Sequence, residues 1–187
     1  MNRLLPSLIL AVASLAAAPF ASATVLTFDD IAGDQFVSAN YGGLDWSGSD
    51  WFAYGDAQAP FTPHSGDMRL ASGFGDADSA TAIGLGAGKT FQGAWFAGFE
   101  DVAVTFELYD HGTLVATSST LSTSATPAWL ASGYAGLVDR VIVSSADQGG
   151  FVMDDFTFSA AVPEPGSALL MTGGLLAIAA AARRRRA

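Results

Sequence analysis

Two pairs of adjacent aspartates bracket the polar middle of the chain, in Thr27-Phe28-Asp29-Asp30 and in Met153-Asp154-Asp155-Phe156. Successive strand side chains point to opposite faces, so Leu26, Phe28 and Asp30 fall on one face of a first strand. Val152, Asp154, Phe156 and Phe158 fall on one face of a last strand. With the phenylalanines turned to a core, Asp30 and Asp154 point inward near strand ends. An inward carboxylate is costly unless it is hydrogen-bonded or paired with a cation, and no basic residue lies near either in sequence. Two chemistries meet that need. If the first and last strands pair, Asp30 and Asp154 converge, and Ca²⁺ is a natural partner because it takes several carboxylate and carbonyl oxygens. Alternatively, each aspartate caps a turn by accepting from local backbone N–H groups.

A second chemistry-bearing stretch is YGGLDWSGSDWFAYGD, where Tyr41, Trp46, Trp51, Phe52 and Tyr54 alternate with Asp45, Asp50 and Asp56. An exposed ring can stack on the apolar face of a sugar while a carboxylate accepts its hydroxyl hydrogen bonds. Trp46, Trp51 and, in a loop after Pro127, Trp129 are therefore ligand-binding candidates. The competing reading makes Trp46 and Trp51 core anchors, the usual place of large aromatics.

Catalysis finds little footing. The two histidines, His64 after a proline and His111 in an Asp110-His111-Gly112 turn, have no metal-ligand spacing such as H-E-x-x-H. No G-x-S-x-G elbow is present. Glu100 and Glu107 are the only glutamates of the middle segment, and nothing marks a pair of carboxylates flanking one glycosidic bond. Gly84-Leu85-Gly86-Ala87-Gly88-Lys89 lacks Walker spacing. No catalytic residue is assigned, and the reading is of a protein that is not an enzyme.

The elements that must position these residues are strands. Hydrophobic alternation recurs between breaks rich in Gly, Asp and Ser, and no stretch keeps a helical period over three turns. Expected strands are 25–30, 68–72, 80–85, 91–99, 102–109, 114–118, 137–144 and 151–159. On 91–99, Phe91, Trp95 and Phe99 share a face. On 102–109, Val102, Val104, Phe106 and Leu108 oppose Thr105 and Glu107. The fold class is all-β, a β-sandwich of jelly-roll-like type.

The 187 residues include no cysteine, which removes disulfides, thiolate catalysis and zinc–thiolate sites. Residues 24–162 hold 17 acidic and 3 basic residues, a net charge of −14. Such a surface repels phosphate backbones and excludes nucleic acid as a partner.

The ends read as addresses. Residues 1–23 form a Sec-type signal peptide, with Arg3 before an apolar run and Ala21-Ser22-Ala23 as the cleavage pattern. It implies the Sec translocon and signal peptidase as partners. Residues 24–160 form the β-sandwich body. Residues 161–187 form a tail: Val162-Pro163-Glu164-Pro165, a 17-residue apolar stretch from Gly166 to Ala182, then Arg183, Arg184, Arg185 and Arg186. As a helix the stretch is about 25 Å long, near the lower limit for one transmembrane helix. The four arginines would stay cytoplasmic, with the body outside.

That order of motif, span and basic end resembles the PEP-CTERM sorting signal of Gram-negative bacteria. The resemblance implies recognition by an exosortase, processing near Pro163-Glu164-Pro165, an inner-membrane intermediate, and a body released or attached at the cell surface. Such proteins accompany exopolysaccharide production. FDD near the start and DDFTF at the end are common in PEP-CTERM bodies, and the body also loosely resembles carbohydrate-binding jelly rolls that hold a structural Ca²⁺. The expected function is a structural or adhesive protein of the exopolysaccharide matrix. The alternatives are a calcium-stabilised carbohydrate-binding module and, last, a glycan hydrolase.

Overall fold

A computed structural model describes residues 22–72, 81–160 and 173–174. Among the described residues eleven strands follow in order: β1 (Ala23–Leu26), β2 (Gln35–Phe36), β3 (Phe52–Tyr54), β4 (Arg69–Ala71), β5 (Ala82–Gly98), β6 (Ala103–Asp110), β7 (Thr113–Thr117), β8 (Leu121–Ser122), β9 (Ala128–Ala131), β10 (Val138–Ser144) and β11 (Phe151–Ala160). The expected all-β class is what the chain adopts. Residues 1–21 of the signal peptide, and the tail apart from Gly173 and Gly174, lie outside the described residues. Among the described residues no helix is long and apolar enough to cross a membrane.

The expected sandwich is built from one hydrogen-bonded sheet. Its main order is β2-β3-β4-β11-β5-β10-β6-β7, with β1 added to β11, β9 to β5 and β8 to β6. The branching lets the sheet fold over. β10 separates β5 from β6, so their backbones would lie about 10 Å apart in a flat sheet. Yet the Phe91 and Phe106 rings meet edge to face at 4.8 Å across the core. Phe28, Trp46, Phe91, Phe96, Phe106, Phe151 and Phe156 belong to this main buried cluster. Expected contributors to it are confirmed on β6, where Val104, Phe106 and Leu108 are fully buried.

Three expectations change. The first strand ends at Leu26, not Asp30, because Phe28 takes φ 63° and rotates its ring into the core. A bulky residue rarely adopts this backbone conformation. Here it leaves Asp29 and Asp30 exposed in a turn. The strands expected at 80–85 and 91–99 are one strand, β5. Its glycine-rich middle swings out as a bulge, with Gly84 opposite Arg140, Lys89 opposite Val138, and positive φ at Gly86 and Gly88. Finally, the face assignments on β5 and β11 slip. Asp154 pairs with Trp95 and Thr157 with Gly93, so Asp155 and Phe156 together oppose Ala94. Asp155 carries the bulge at φ 48°. A one-residue slip moves every later side chain to the other face. Phe156 therefore faces the core while Asp154 stays with Val152 on the opposite face. A second bulge, at Gln92, likewise parts Phe91 from Trp95, and Phe99 is 52% exposed.

The β6–β7 turn is as expected: His111 (φ 50°) and Gly112 (φ 77°) are its central residues, the two positive values that a tight hairpin of type I′ requires.

Candidate functional site

The face of the sheet turned away from the main core carries its own small cluster, Tyr54, Ala71, Ala97 and Val152. The register explains it. Phe36 pairs with Phe52, Phe52 with Ala71, Ala71 with Val152 and Val152 with Ala97. These five residues form a row across β2, β3, β4, β11 and β5. Aromatics stand at one end and small side chains in the middle, so the row is high at Phe52 and low at Ala71 and Ala97. The segment 55–67 crosses the same face as a strap. Its Phe61 packs on the cluster and meets Phe99 at 5.2 Å, as Phe36 meets Phe52 at 5.2 Å on the far side. Between these walls lies a groove of about 440 Å³. Asp34, Asp56, Gln58 and Ser72 supply its polar rim.

Four side chains hold the strap, and three of them come from the two aspartate pairs. β1 pairs with β11, Leu26 opposite Phe156, as the first and last strands were expected to do. Asp29 Oδ1 accepts from the backbone N–H of Asp67 and Met68, at 3.0 and 3.1 Å. Asp154 Oδ2 accepts from the N–H of His64 and Ser65, at 2.7 and 2.9 Å. Asp155 takes the His64 Nδ1–H at 2.5 Å on one oxygen and the Ser65 hydroxyl at 2.8 Å on the other. Arg69, 1% exposed, lies 4.0 Å over the Tyr54 ring and donates to the carbonyls of Asp56 and Asp67, near the two ends of the strap. The His64 ring stacks on Trp95 at 3.5 Å.

The residues singled out in the sequence are distributed differently. Asp154 is buried, and its oxygens are occupied by N–H donors, including the N–H of Asp155 at 2.7 Å. Asp30 is exposed and accepts from the Tyr41 hydroxyl at 2.5 Å. The structure thus gives Asp30 and Asp154 separate protein partners. Asp154 caps backbone both locally, at Asp155, and across the fold, at His64 and Ser65, while Asp29 holds N–H groups 38 and 39 residues away. Trp46 and Trp51, offered as ligand contacts, are 2% and 1% exposed and belong to the core. Trp46 packs against Phe28 and Phe156, and its Nε1–H donates to the Tyr41 carbonyl at 2.9 Å. Trp129 is 37% exposed and lies on β9 rather than in a loop. The groove residues Phe52 and Tyr54 stood in the same quoted stretch. The signal for them was the period of two in Trp51-Phe52-Ala53-Tyr54, where Trp51 and Ala53 face the core. Phe61 and Arg69 carried no local signal.

Burial raises the Asp154 carboxyl to about 6, helped by the Asp155 charge and opposed by the N–H bonds. A pKa above the ordinary 3.8 means that the folded protein binds this proton more tightly than the unfolded chain. The resulting stability is present at low pH and is lost as pH rises through about 6. Asp154→Asn removes the titration. Between about pH 7.5 and about pH 5 the wild type is expected to gain on the order of 1 kcal/mol relative to this variant, a few degrees in melting midpoint. Parallel pH dependences in the two proteins would contradict the assignment.

Against known proteins, the tail gives the decisive match: the family described as the PEP-CTERM protein-sorting motif covers residues 161–186. The C-terminal end is a sorting signal. It implies export with an exosortase as processing partner, as the tail's resemblance anticipated. No curated protein matches the chain. Solved structures similar to it include a CBM29-2 mutant complexed with mannohexaose (16% identity, 76% of this chain and 94% of that one, TM-score 0.39). They also include a family 29 carbohydrate-binding module (16% identity, 76% and 91%, TM-score 0.37).

Proposed function

We propose that the exported body is a non-catalytic polysaccharide-binding domain that holds a neutral glycan chain in the groove beside the strap. The observation that carries this reading is the groove itself. Aromatic walls at Phe52 and Phe61 stand over a floor of Tyr54, Ala71 and Val152, with carboxylate and amide groups at the rim. Aromatic faces carry negative charge density and attract the C–H face of a sugar ring. Asp34, Asp56 and Gln58 are acceptors for its hydroxyls.

The charge distribution supports a neutral ligand. The three cations of residues 24–162 are engaged within the protein: Arg69 as above, Arg140 over the Tyr109 ring and Lys89 on the Leu85 carbonyl. They leave an acidic surface that repels polyanions. The arrangement of Ser65, His64 and Asp155 supports a clamp rather than a catalyst. Both Ser65 and His64 bond Asp155, so the hydroxyl is not aligned on the imidazole as a nucleophile on its base. Export would run through the signal peptide. The span Gly166–Ala182 would hold the tail in the inner membrane, Arg183 to Arg186 would stay inside, and an exosortase would process near Pro163-Glu164-Pro165. The delivered body would serve as an adhesive component of the extracellular matrix.

Affinity electrophoresis of the full chain in mild detergent tests the reading. Retardation is expected in gels containing neutral glucans or mannans, and none in gels containing alginate. Equal mobility in every gel would contradict it.

A further inference from the structure

Beyond the strap, the groove's sheet face continues onto β9. Trp129 is in register with Trp95, their rings 5.9 Å apart. Both point away from the core, because the intervening pair Ala94 and Leu130 is buried in it. Gly93 adopts φ 149°, and a Cβ there would stand 2.7 Å from Trp129 Cζ2. The indole therefore crosses β5 where only a glycine leaves room. One side rests on backbone and on Trp95, yet the residue stays 37% exposed. A supported, exposed ring of this kind loses little freedom when a ligand stacks on it.

The hollow beside it holds about 520 Å³, with Tyr134 as a second aromatic wall. Thr90, Gln92 and Ser132 bring hydroxyl and amide groups to it, and its lining includes no carboxylate and no cation. Gln92 Oε1 is buried there with no partner in the protein, and a buried acceptor without a donor is costly.

We infer that this hollow is a second saccharide-stacking site, centred on Trp129, and that one neutral polysaccharide chain occupies it together with the groove. The second half of this inference rests on the groove reading. Phe52 on β3 and Trp129 on β9 are four interstrand spacings apart, roughly 19 Å. A disaccharide fills one site at a time, while a polymer reaches both. Joining two weak sites through one ligand raises apparent affinity by about a hundredfold or more without any new contact.

The test is calorimetric titration of the full chain and of its Trp129→Ala and Phe52→Ala variants with cello- and manno-oligosaccharides from disaccharide to polymer. The wild type is expected to bind two short oligosaccharides per chain and each variant one. Polymer affinity should fall at least tenfold in either variant, and Trp129→Phe should recover most of it. One short oligosaccharide per wild-type chain, lost in Phe52→Ala and untouched in Trp129→Ala, overturns this inference and leaves the groove standing. Binding lost only in Trp129→Ala overturns the groove and the shared chain. No binding by the wild type overturns both.

Discussion

Trp46→Ala is expected to cost about 4 kcal/mol of stability and to lower the melting midpoint by roughly 12 °C. The side chain is 2% exposed and wedged between Phe28, Tyr41 and Phe156. Its removal opens a cavity and orphans the Tyr41 carbonyl that accepts its N–H. Thermal melting followed by near-ultraviolet circular dichroism measures the shift. Below its own midpoint the variant should bind polysaccharide as the wild type does, because Trp46 lies on the core side of the sheet and the groove on the other. A variant that melts as the wild type but has lost binding would return Trp46 to the ligand-contact role that its sequence neighbourhood suggested.

The second large effect is expected at Asp155, which holds the strap through His64 and Ser65. Asp155→Ala breaks both bonds, whose donors are partly exposed and can turn to water, a loss of about 1–3 kcal/mol. Alanine is also poorly suited to the φ of 48° at this bulge. Since the strap carries Phe61, Gln58 and Asp56, loosening it should also weaken polysaccharide binding by about tenfold, a cost of about 1.4 kcal/mol. Asp155→Asn separates the two losses. Asparagine tolerates the backbone and keeps an acceptor for one donor, so stability should recover in part. Unchanged affinity in Asp155→Ala, with the expected loss of stability, would show that the strap does not shape the groove.

How far the sequence spoke depended on whether the signal was local. Alternation on Val104, Phe106 and Leu108, the turn at His111-Gly112, and the all-β class are properties of a few adjacent residues, and all three hold. Of the inward carboxylates expected at Asp30 and Asp154, only Asp154 is buried, and it holds the strap together with Asp29 and Asp155. Their partners, however, lie in segment 64–68, joined to them only by the fold. Face assignments failed where the period of two was interrupted. A bulge at Asp155 and another at Gln92 each add one residue that no hydrophobic pattern marks. Phe28 failed for a related reason: its positive φ belongs to the packed core, not to its own preference.

The groove shows the same limit. Phe52 and Tyr54 alternate with Trp51 and Ala53, and a strict alternation would have separated the two faces. The opposite wall, Phe61, sits in a segment with no strand pattern and reaches the sheet only because Arg69, Asp29, Asp154 and Asp155 fasten the strap. The tail stands apart. Motif, apolar stretch and arginines are contiguous, and the match to the sorting motif over residues 161–186 needs no fold at all.

The central claim is that the face carrying Phe52, Tyr54 and Phe61 binds a neutral glycan. Titration of the full chain and of Phe52→Ala with whichever neutral polysaccharide retards the wild type tests it most directly. Loss of one stacking wall at a binding centre costs about 1–3 kcal/mol, so affinity, measured below the variant's own melting midpoint, should fall by roughly ten- to a hundredfold. An unaltered affinity in Phe52→Ala, or tighter binding of alginate than of any neutral chain, would contradict the account.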